Sequence, residues 1–164
     1  MSVIAAYSGT FDPVTYGHTD IIRRAAAMFP NLIVAVGLNP SKNPRFTLEE
    51  RIALVEGVIQ HFGLSNVTVQ GFDGLVVDFA RTHGVTVLVR GVRTVGDVDY
   101  EKQMAVMNRD LYPALDTVLL APSPEYAHLS SSLVRELAAL GAPVEKLVPE
   151  SVVPKLLARI GAGH

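Results

Sequence analysis

The sequence predicts an α/β domain: a doubly wound, five-stranded parallel sheet with helices on both faces and further helices at the C-terminus. Two observations lead to this prediction. Apolar runs rich in β-branched residues alternate with helical patterns along the chain, as in consecutive βαβ units. The first two runs, "VIAAY" and "LIVAVGL", are almost continuously apolar, which is typical of strands buried on both faces. No repeat, low-complexity tract or linker interrupts the pattern, so residues 1–164 are predicted to form a single domain.

Each element follows from a local pattern. Apolar, β-branched runs predict strands at Val3–Tyr7, Leu32–Leu38, Val67–Gln70, Val85–Arg90 and Thr117–Ala121. Helical patterns such as "TDIIRRAAAMF" predict helices at Gly17–Phe29, Leu48–Phe62, Gly74–His83, Asp97–Leu111, Ser131–Leu140 and Val152–Ile160. Thr47 and Glu50 form a capping box ahead of the second helix, and Gly63 and Gly84 stand where helix C-caps belong. Right-handed crossovers between these strands give a Rossmann-like arrangement.

The composition narrows the class of protein. With 49% hydrophobic and 18% charged residues, the 164-residue chain is typical of a folded globular protein. A net charge of −2 and a pI near 6.2 argue against nucleic acid or anionic lipid as a partner. The chain contains no cysteine, which excludes disulfides and thiolate metal sites. It shows no signal-type N-terminus and no apolar run approaching the roughly 18 residues of a membrane span, so we expect a cytoplasmic protein that is not bound to a membrane.

Ligands of such a sheet bind at the carboxyl ends of the strands, close to the point where the strand order reverses. This rule directs attention to five connecting segments. They are Ser8–Tyr16, Asn39–Phe46, Gly71–Asp73, Gly91–Gly96 and Pro122–Ser130.

The first segment lies within "YSGTFDPVTYGH" and carries more special residues than a plain turn requires. Gly9 allows backbone to approach a ligand closely, and Thr10 offers both a hydroxyl and a backbone N–H. Gly17 and His18 fall at the start of the first helix, where free N–H groups and the helix dipole favour an anion. A histidine there can donate to a phosphate oxygen as negative charge builds up in a transition state. On these residues alone the alternative stays open that Gly9 is a turn residue and His18 faces solvent.

A second candidate is "LSSSLVRE", after the last strand. Serines at a helix start commonly cap its N–H groups, and that interpretation competes with any other. Three in a row exceed what one cap needs, and Arg135 lies one turn beyond Ser131. Together they can hold a polyphosphate.

Cationic residues stand at the same predicted edge. Arg90 ends a strand and Arg93 follows in the loop with Gly91 between them, an arrangement that suits phosphate recognition. Lys42 lies in the proline-bracketed loop "NPSKNPRF"; a lone lysine is usually a solvated charge, but this one shares the edge with the other sites. Glu101, in the next helix, either hydrogen-bonds a nucleotide or is solvated.

The remaining chemistry is sparse. Met104 and Met107 share one helix face, where they belong to the core or line an apolar channel. Asp12 precedes a proline, and no His, Asp or Glu cluster has metal-ligand spacing. No residues form a nucleophile with an activating base. Anion binders without a covalent catalyst suit phosphoryl or nucleotidyl transfer, which depends on positioning and charge stabilisation.

These motifs resemble a known family. "GTFDPVTYGH" is similar to the first signature of the nucleotidyltransferase superfamily, T/H-x-G-H, here Thr15 to His18, and "LSSSLVRE" is similar to its second. "PSKNPRFTLEER", "LVRGVRTVGDVDYE" and "MAVMNR" resemble bacterial phosphopantetheine adenylyltransferases. The likeness runs from Ala6 to about Leu157, and the combination of motifs in this order is highly specific.

The resemblance implies transfer of the adenylyl group of ATP to 4′-phosphopantetheine, with Mg²⁺ held mainly by phosphates and water rather than by protein side chains. It also implies a homohexamer. Catalytic roles fall on His18, which stabilises the transition state, Lys42 and Arg90. Implied ATP contacts are Thr10, Phe11, His18, Gly91, Val92, Arg93, Glu101, Tyr126, Ala127, His128, Leu129, Ser130, Ser131 and Ser132. Implied phosphopantetheine contacts are Thr10, Lys42, Val76, Arg90, Met107 and Asn108.

The chain departs from the family pattern at two places. Ser8 stands where proline is common, and Tyr126-Ala127-His128 replaces the familiar Trp-Ser-Phe. One alternative keeps the chemistry and changes the acceptor, to glycerol phosphate with CTP or to nicotinate mononucleotide with ATP. Another is a nucleotide-binding module without catalysis, because fold alone does not decide function.

Overall fold

The computed structural model describes residues 2–161 and contains one sheet of five parallel strands. The strands are β1 (Ile4–Gly9), β2 (Asn31–Gly37), β3 (Val67–Phe72), β4 (Val87–Gly91) and β5 (Asp116–Leu120). The helices are α1 (Tyr16–Met28), α2 (Leu48–Phe62), α3 (Val76–His83), α4 (Val95–Leu111), α5 (Ser131–Ala139) and α6 (Val153–Ile160). Within residues 2–161, no helix has the length and apolar character needed to cross a membrane.

The strand order is β3-β2-β1-β4-β5. Central β1 pairs with β2 on one side, from Ile4 opposite Asn31 onward, and with β4 on the other, where Ala5 lies opposite Val87. After β3 the chain therefore returns past β1, and the order reverses between β1 and β4. That reversal places the ligand crevice of a doubly wound sheet at the carboxyl ends of these two strands.

Two apolar cores cover the two faces of the sheet. Along β1, Ala5 and Tyr7 join the larger core, while Ala6 joins the smaller one on the opposite face. Helices α1, α2, α5 and α6 supply the larger core, and α3 packs its Phe79 into the smaller one. The prediction of a parallel sheet with helices on both faces, Rossmann-like in its order, is confirmed.

All predicted strands and helices exist, and the boundary differences have local causes. The capping box of α2 and both glycine C-caps are confirmed. Helix α3 begins at Val76 rather than Gly74, because Gly74 adopts a left-handed conformation with φ +84°. Helix α4 begins at Val95 rather than Asp97, because Thr94 is its N-cap and Asp97 completes a capping box. Two short 3₁₀ turns, at Pro40–Lys42 and Pro124–Tyr126, were not among the predicted elements.

Candidate active site

A cavity of about 330 Å³ lies at the carboxyl ends of β1 and β4, at the point of strand reversal. Most of the predicted site residues line it, although they come from four separate stretches of chain. These are Thr10, Phe11, His18, Lys42, Arg90, Gly91, Val92, Arg93, Tyr126, Leu129, Ser130, Ser131 and Ser132. The sheet thus brings both signature motifs and the cationic loops to one place.

Other predicted contacts lie outside this lining. Val76 packs beside the smaller core, Asn108 is buried in α4, and Met107 is 57% exposed on the same helix. Ala127 and His128 are exposed, and they lie between Tyr126 and Leu129, which do line the cavity. The core interpretation of Met107 is wrong, since its side chain faces solvent; its contact with the acceptor stays a prediction.

His18 is fixed by an unusual capping box. The hydroxyl Oγ1 of Thr15 accepts from the backbone N–H of His18 at 3.3 Å, and the backbone N–H of Thr15 donates to Nδ1 of His18 at 2.9 Å. Because Nδ1 accepts from an amide, the neutral ring must carry its proton on Nε2. The ring of Phe11 meets the imidazole edge-on, with centroids 4.9 Å apart. His18 is therefore oriented as an Nε2–H donor.

The surroundings of His18 also keep it neutral. Burial, followed by the positive charges of Arg93 and Arg90, lowers the pKa of the imidazole to about 4. At pH 7 the ring is therefore an uncharged hydrogen-bond donor. The alternative of a solvent-facing histidine is wrong.

Arg90 is held by partners on both sides. Its Nε and Nη2 donate to the carboxylate of Glu101, at 3.1 and 2.9 Å, and its Nη1 donates to the carbonyl and hydroxyl oxygens of Ser8, at 2.7 and 2.9 Å. These bonds use four of the five N–H groups that a guanidinium carries. Glu101 is 7% exposed and lies behind Arg90, so the alternative of a solvated Glu101 is wrong. The sequence marks Ser8 only as a departure from the family's proline and does not indicate this role.

The serine segment divides its duties. Ser130 caps α5 by accepting from the backbone N–H of Leu133 at 3.1 Å, as the capping interpretation of the serines predicts. The hydroxyl of Ser131 instead donates to the carbonyl of Pro13 at 2.8 Å, which joins the two signature motifs. Arg93 donates to the carbonyl of Leu129 at 3.1 Å and so ties the β4 loop to the same segment.

Lys42 is exposed on a 3₁₀ turn, and it forms no ion pair with an acidic side chain of residues 2–161. The end of its loop is anchored by Asp12, whose carboxylate accepts from the backbone N–H groups of Arg45 and Phe46 at 2.9 and 3.0 Å. Among residues 2–161, the carboxylate of Asp12 is the one that lines the cavity, and this contact uses it. The sequence around Asp12 does not indicate this function.

Arg51 is a second anchor that sequence reasoning missed. Its side chain is buried and donates to the backbone carbonyls of Thr10, Gly37, Leu38 and Phe46, at 2.9, 2.6, 3.2 and 3.1 Å. It thereby joins the end of β1, the end of β2 and the end of the Lys42 loop. Nothing in the local pattern of α2 distinguishes this arginine from a solvated one.

Comparison with known proteins defines the class first. Residues 6–137 match the family model described as cytidylyltransferase-like, which is more than half of the chain. A solved nicotinic acid mononucleotide adenylyltransferase from Plasmodium falciparum has the same fold, with a TM-score of 0.72 and 13% identity, covering 98% of this chain and 99% of that chain. The fold and the cavity therefore define a protein of the cytidylyltransferase-like class.

Curated relatives narrow this class. The phosphopantetheine adenylyltransferase of Thioalkalivibrio sulfidiphilus is 50% identical over 98% of this chain and 100% of its own length. That of Heliobacterium modesticaldum is 46% identical over 96% of this chain and 93% of its own. The chain belongs to the phosphopantetheine adenylyltransferase family.

Proposed function

We propose that the protein transfers the adenylyl group of ATP to 4′-phosphopantetheine, producing dephospho-coenzyme A and pyrophosphate. A phosphate oxygen of the acceptor attacks the α-phosphorus of ATP, and the bond from that phosphorus to the leaving pyrophosphate breaks. The acceptor oxygen is already anionic, so no general base is required. The observation that carries the proposal is that one cavity is lined by four cationic or hydrogen-bonding side chains, those of His18, Lys42, Arg90 and Arg93. It agrees with the relatives that are named phosphopantetheine adenylyltransferase.

The side chains divide the work by charge. The Nε2–H of His18 donates to an oxygen of the α-phosphate, where negative charge increases in the transition state. Lys42 and the remaining N–H of Arg90 hold the acceptor phosphate. Thr10 reaches both substrates. Arg93 stabilises the nucleotide phosphates.

The remaining predicted contacts complete the two subsites. On the nucleotide side these are Phe11, Gly91, Val92, Glu101 and residues 126–132; on the acceptor side they are Val76, Met107 and Asn108. For Glu101 the proposal is indirect, because its carboxylate binds Arg90 and not the open cavity.

Mg²⁺ enters with the polyphosphate in this proposal. Among residues 2–161, no group of three or more His, Cys, Asp or Glu side chains is arranged to hold a metal ion. The carboxylate of Asp12 is engaged by backbone N–H groups, so the hard oxygen ligands come from phosphates and water. When bound, the ion neutralises charge on the phosphates. Chelation with EDTA should abolish pyrophosphate release, and added Mg²⁺ should restore it.

We further propose that the protein is a homohexamer in the cytoplasm. Support for self-association comes from α4 and the segment before α3, which leave large apolar side chains in solvent. Val95 is 88% exposed, Val106 66% and Leu75 58%. Val95 and Val106 are eleven residues apart, which places them on one face of α4, and an exposed apolar face is typical of an interface. Sedimentation equilibrium would refute the hexamer by returning the 17.6 kDa mass of one chain.

The decisive experiment is a pyrophosphate-release assay with a panel of acceptors. Phosphopantetheine, glycerol 3-phosphate and nicotinate mononucleotide are each offered with ATP and with CTP. We expect release only with ATP and phosphopantetheine. Preference for another pair would redirect the proposal to one of the related activities.

His18→Asn separates an enzyme from a binding module. The variant should lose about 100-fold or more in kcat, the usual cost of removing one donor from a developing charge, while its Kd for ATP changes little. A kcat close to that of the wild type would contradict the assigned role.

A further inference from the structure

Asn39, at the carboxyl end of β2, contacts a residue of the cavity through its side chain. Its amide Nδ2 donates to the hydroxyl Oγ1 of Thr10 at 2.8 Å, and Asn39 is half-buried. A hydroxyl that accepts from an amide keeps its own proton for another partner. Since Thr10 lines the cavity, that proton is available to an acceptor oxygen bound there.

The backbone of Asn39 is held in a rarely occupied conformation. Its φ of 44° and ψ of 57° lie in the left-handed region, which residues with a side chain seldom adopt, although asparagine adopts it more readily than most. Its carbonyl accepts the backbone N–H of Lys42 at 3.0 Å and so begins the 3₁₀ turn that carries this lysine. One residue thus contacts Thr10 with its side chain and sets the turn of Lys42 with its backbone.

Gly37 provides space for this amide. A Cβ atom placed on Gly37 would lie 2.7 Å from Nδ2 of Asn39, closer than real contacts allow. The amide therefore occupies the volume that any larger residue at position 37 would need. Hydrogen bond, backbone conformation and packing all fix the same orientation of Asn39.

We propose that Asn39 is a positioning residue: its amide turns the Thr10 hydroxyl into a hydrogen-bond donor directed at a substrate phosphate. Its carbonyl sets the distance between that donor and the Lys42 turn. This inference rests on the proposed function, because it assumes that phosphates occupy the cavity.

Two substitutions separate the amide from the backbone. Asn39→Gly adopts the left-handed conformation without strain and removes only the amide. Asn39→Asp keeps the shape but replaces the N–H donor by an acceptor, which captures the Thr10 proton and adds negative charge. Asn43, exposed at the other end of the same turn with φ 48° and ψ 61°, is the matched control through Asn43→Gly and Asn43→Asp.

We expect kcat/KM for phosphopantetheine to fall about 3- to 10-fold in Asn39→Gly and about 10- to 100-fold in Asn39→Asp, following the strengths of neutral and charged hydrogen bonds. In the Asn43 controls, kcat/KM should stay within about threefold of the wild-type value. The controls thus measure how much an added charge or an altered turn contributes without the contact to Thr10. Urea unfolding of each variant reports on folding separately.

A double-mutant cycle with Thr10→Val identifies the route of the effect. In the Thr10→Val background, both Asn39 substitutions should cost no more than the Asn43 controls, because no hydroxyl remains to orient. Undiminished losses in that background would overturn the proposal, as would Asn39 variants that match the controls.

The same cycle is measured in the Kd of ATP by calorimetry, which does not depend on the acceptor. If the wild type does not turn over phosphopantetheine, the proposed function is refuted. The cycle measured in the Kd of ATP then still tests whether Asn39 positions Thr10. If positions 10 and 39 show no coupling in kcat/KM and none in the Kd of ATP, the proposal is overturned.

Discussion

Titration of His18 gives the sharpest test of how the site is built. Burial and two neighbouring guanidinium groups lower its pKa from an ordinary 6.5 to about 4. At pH 5 an ordinary histidine is about 97% protonated, whereas His18 in the folded protein should be only about 10% protonated. A proton on Nδ1 would also abolish the acceptor on which the Thr15 N–H depends.

NMR of the histidine Cε1–H signals measures this directly in the ligand-free protein. The chain has five histidines, and the signal missing from His18→Asn identifies the one of interest. Direct titration is preferable to a pH–rate profile, because the acceptor phosphate itself titrates near pH 6. A midpoint near 6.5 for His18 would refute the argument that burial and Arg93 hold the ring neutral.

The lowered pKa also links stability to pH. Above about pH 6.5 the histidine is neutral in both folded and unfolded chains. Between about 6.5 and 4 the unfolded chain binds a proton that the folded chain excludes, so the free energy of unfolding decreases as the pH is lowered, by at most about 1.4 kcal/mol per pH unit. Below about 4 both states are protonated and this contribution no longer changes. Urea unfolding of wild type and His18→Asn should show this extra slope only in the wild type.

Three further substitutions test the groups behind the cavity. Arg51→Met should lower the free energy of unfolding by about 2–4 kcal/mol, since it leaves four backbone carbonyls without their buried donor; a loss below about 1 kcal/mol in urea would contradict this. Ser8→Ala should raise the KM for the acceptor about two- to fivefold at unchanged KM for ATP, because Arg90 loses one of its two bonds to Ser8; equal changes in both constants would argue against this route. Asp12→Asn keeps one acceptor oxygen for the Lys42 loop, so steady-state kinetics should show a higher KM for the acceptor and little change in kcat, whereas a selective loss of kcat would place Asp12 closer to the chemistry.

The sequence predicted the elements because their signals are local. Continuous apolar runs marked the buried strands, and capping residues such as Thr47 marked a helix start within one residue. Because ligands bind at the carboxyl ends of parallel strands, the order of the elements alone predicts that His18, Lys42 and Arg90 lie at the same edge of the sheet. These predictions needed only the order of the elements and the ordinary right-handed crossovers.

What the sequence could not predict is which partner each polar side chain selects. Arg51 and Arg90 are both arginines at the ligand edge, yet one binds only backbone carbonyls and the other shares its charge with Glu101. The choice depends on contacts between distant segments, such as Arg90 with Ser8, which are 82 positions apart. The same holds for Asn39, because no pattern in the neighbouring sequence predicts its left-handed backbone or its hydrogen bond to Thr10.

The site combines donors that are held by several hydrogen bonds with one donor, Lys42, whose side chain is exposed. His18 is held by Thr15, and Arg90 is held by Ser8 and Glu101, so the entropy of orienting these donors is lost when the chain folds. Their arrangement therefore costs little at the moment of reaction. Lys42 differs, since its side chain is exposed and only the backbone of its turn is anchored. Under the proposed function, binding of the acceptor phosphate orders this lysine, so substitutions at Lys42 should change the affinity for the acceptor without disturbing the donors around His18.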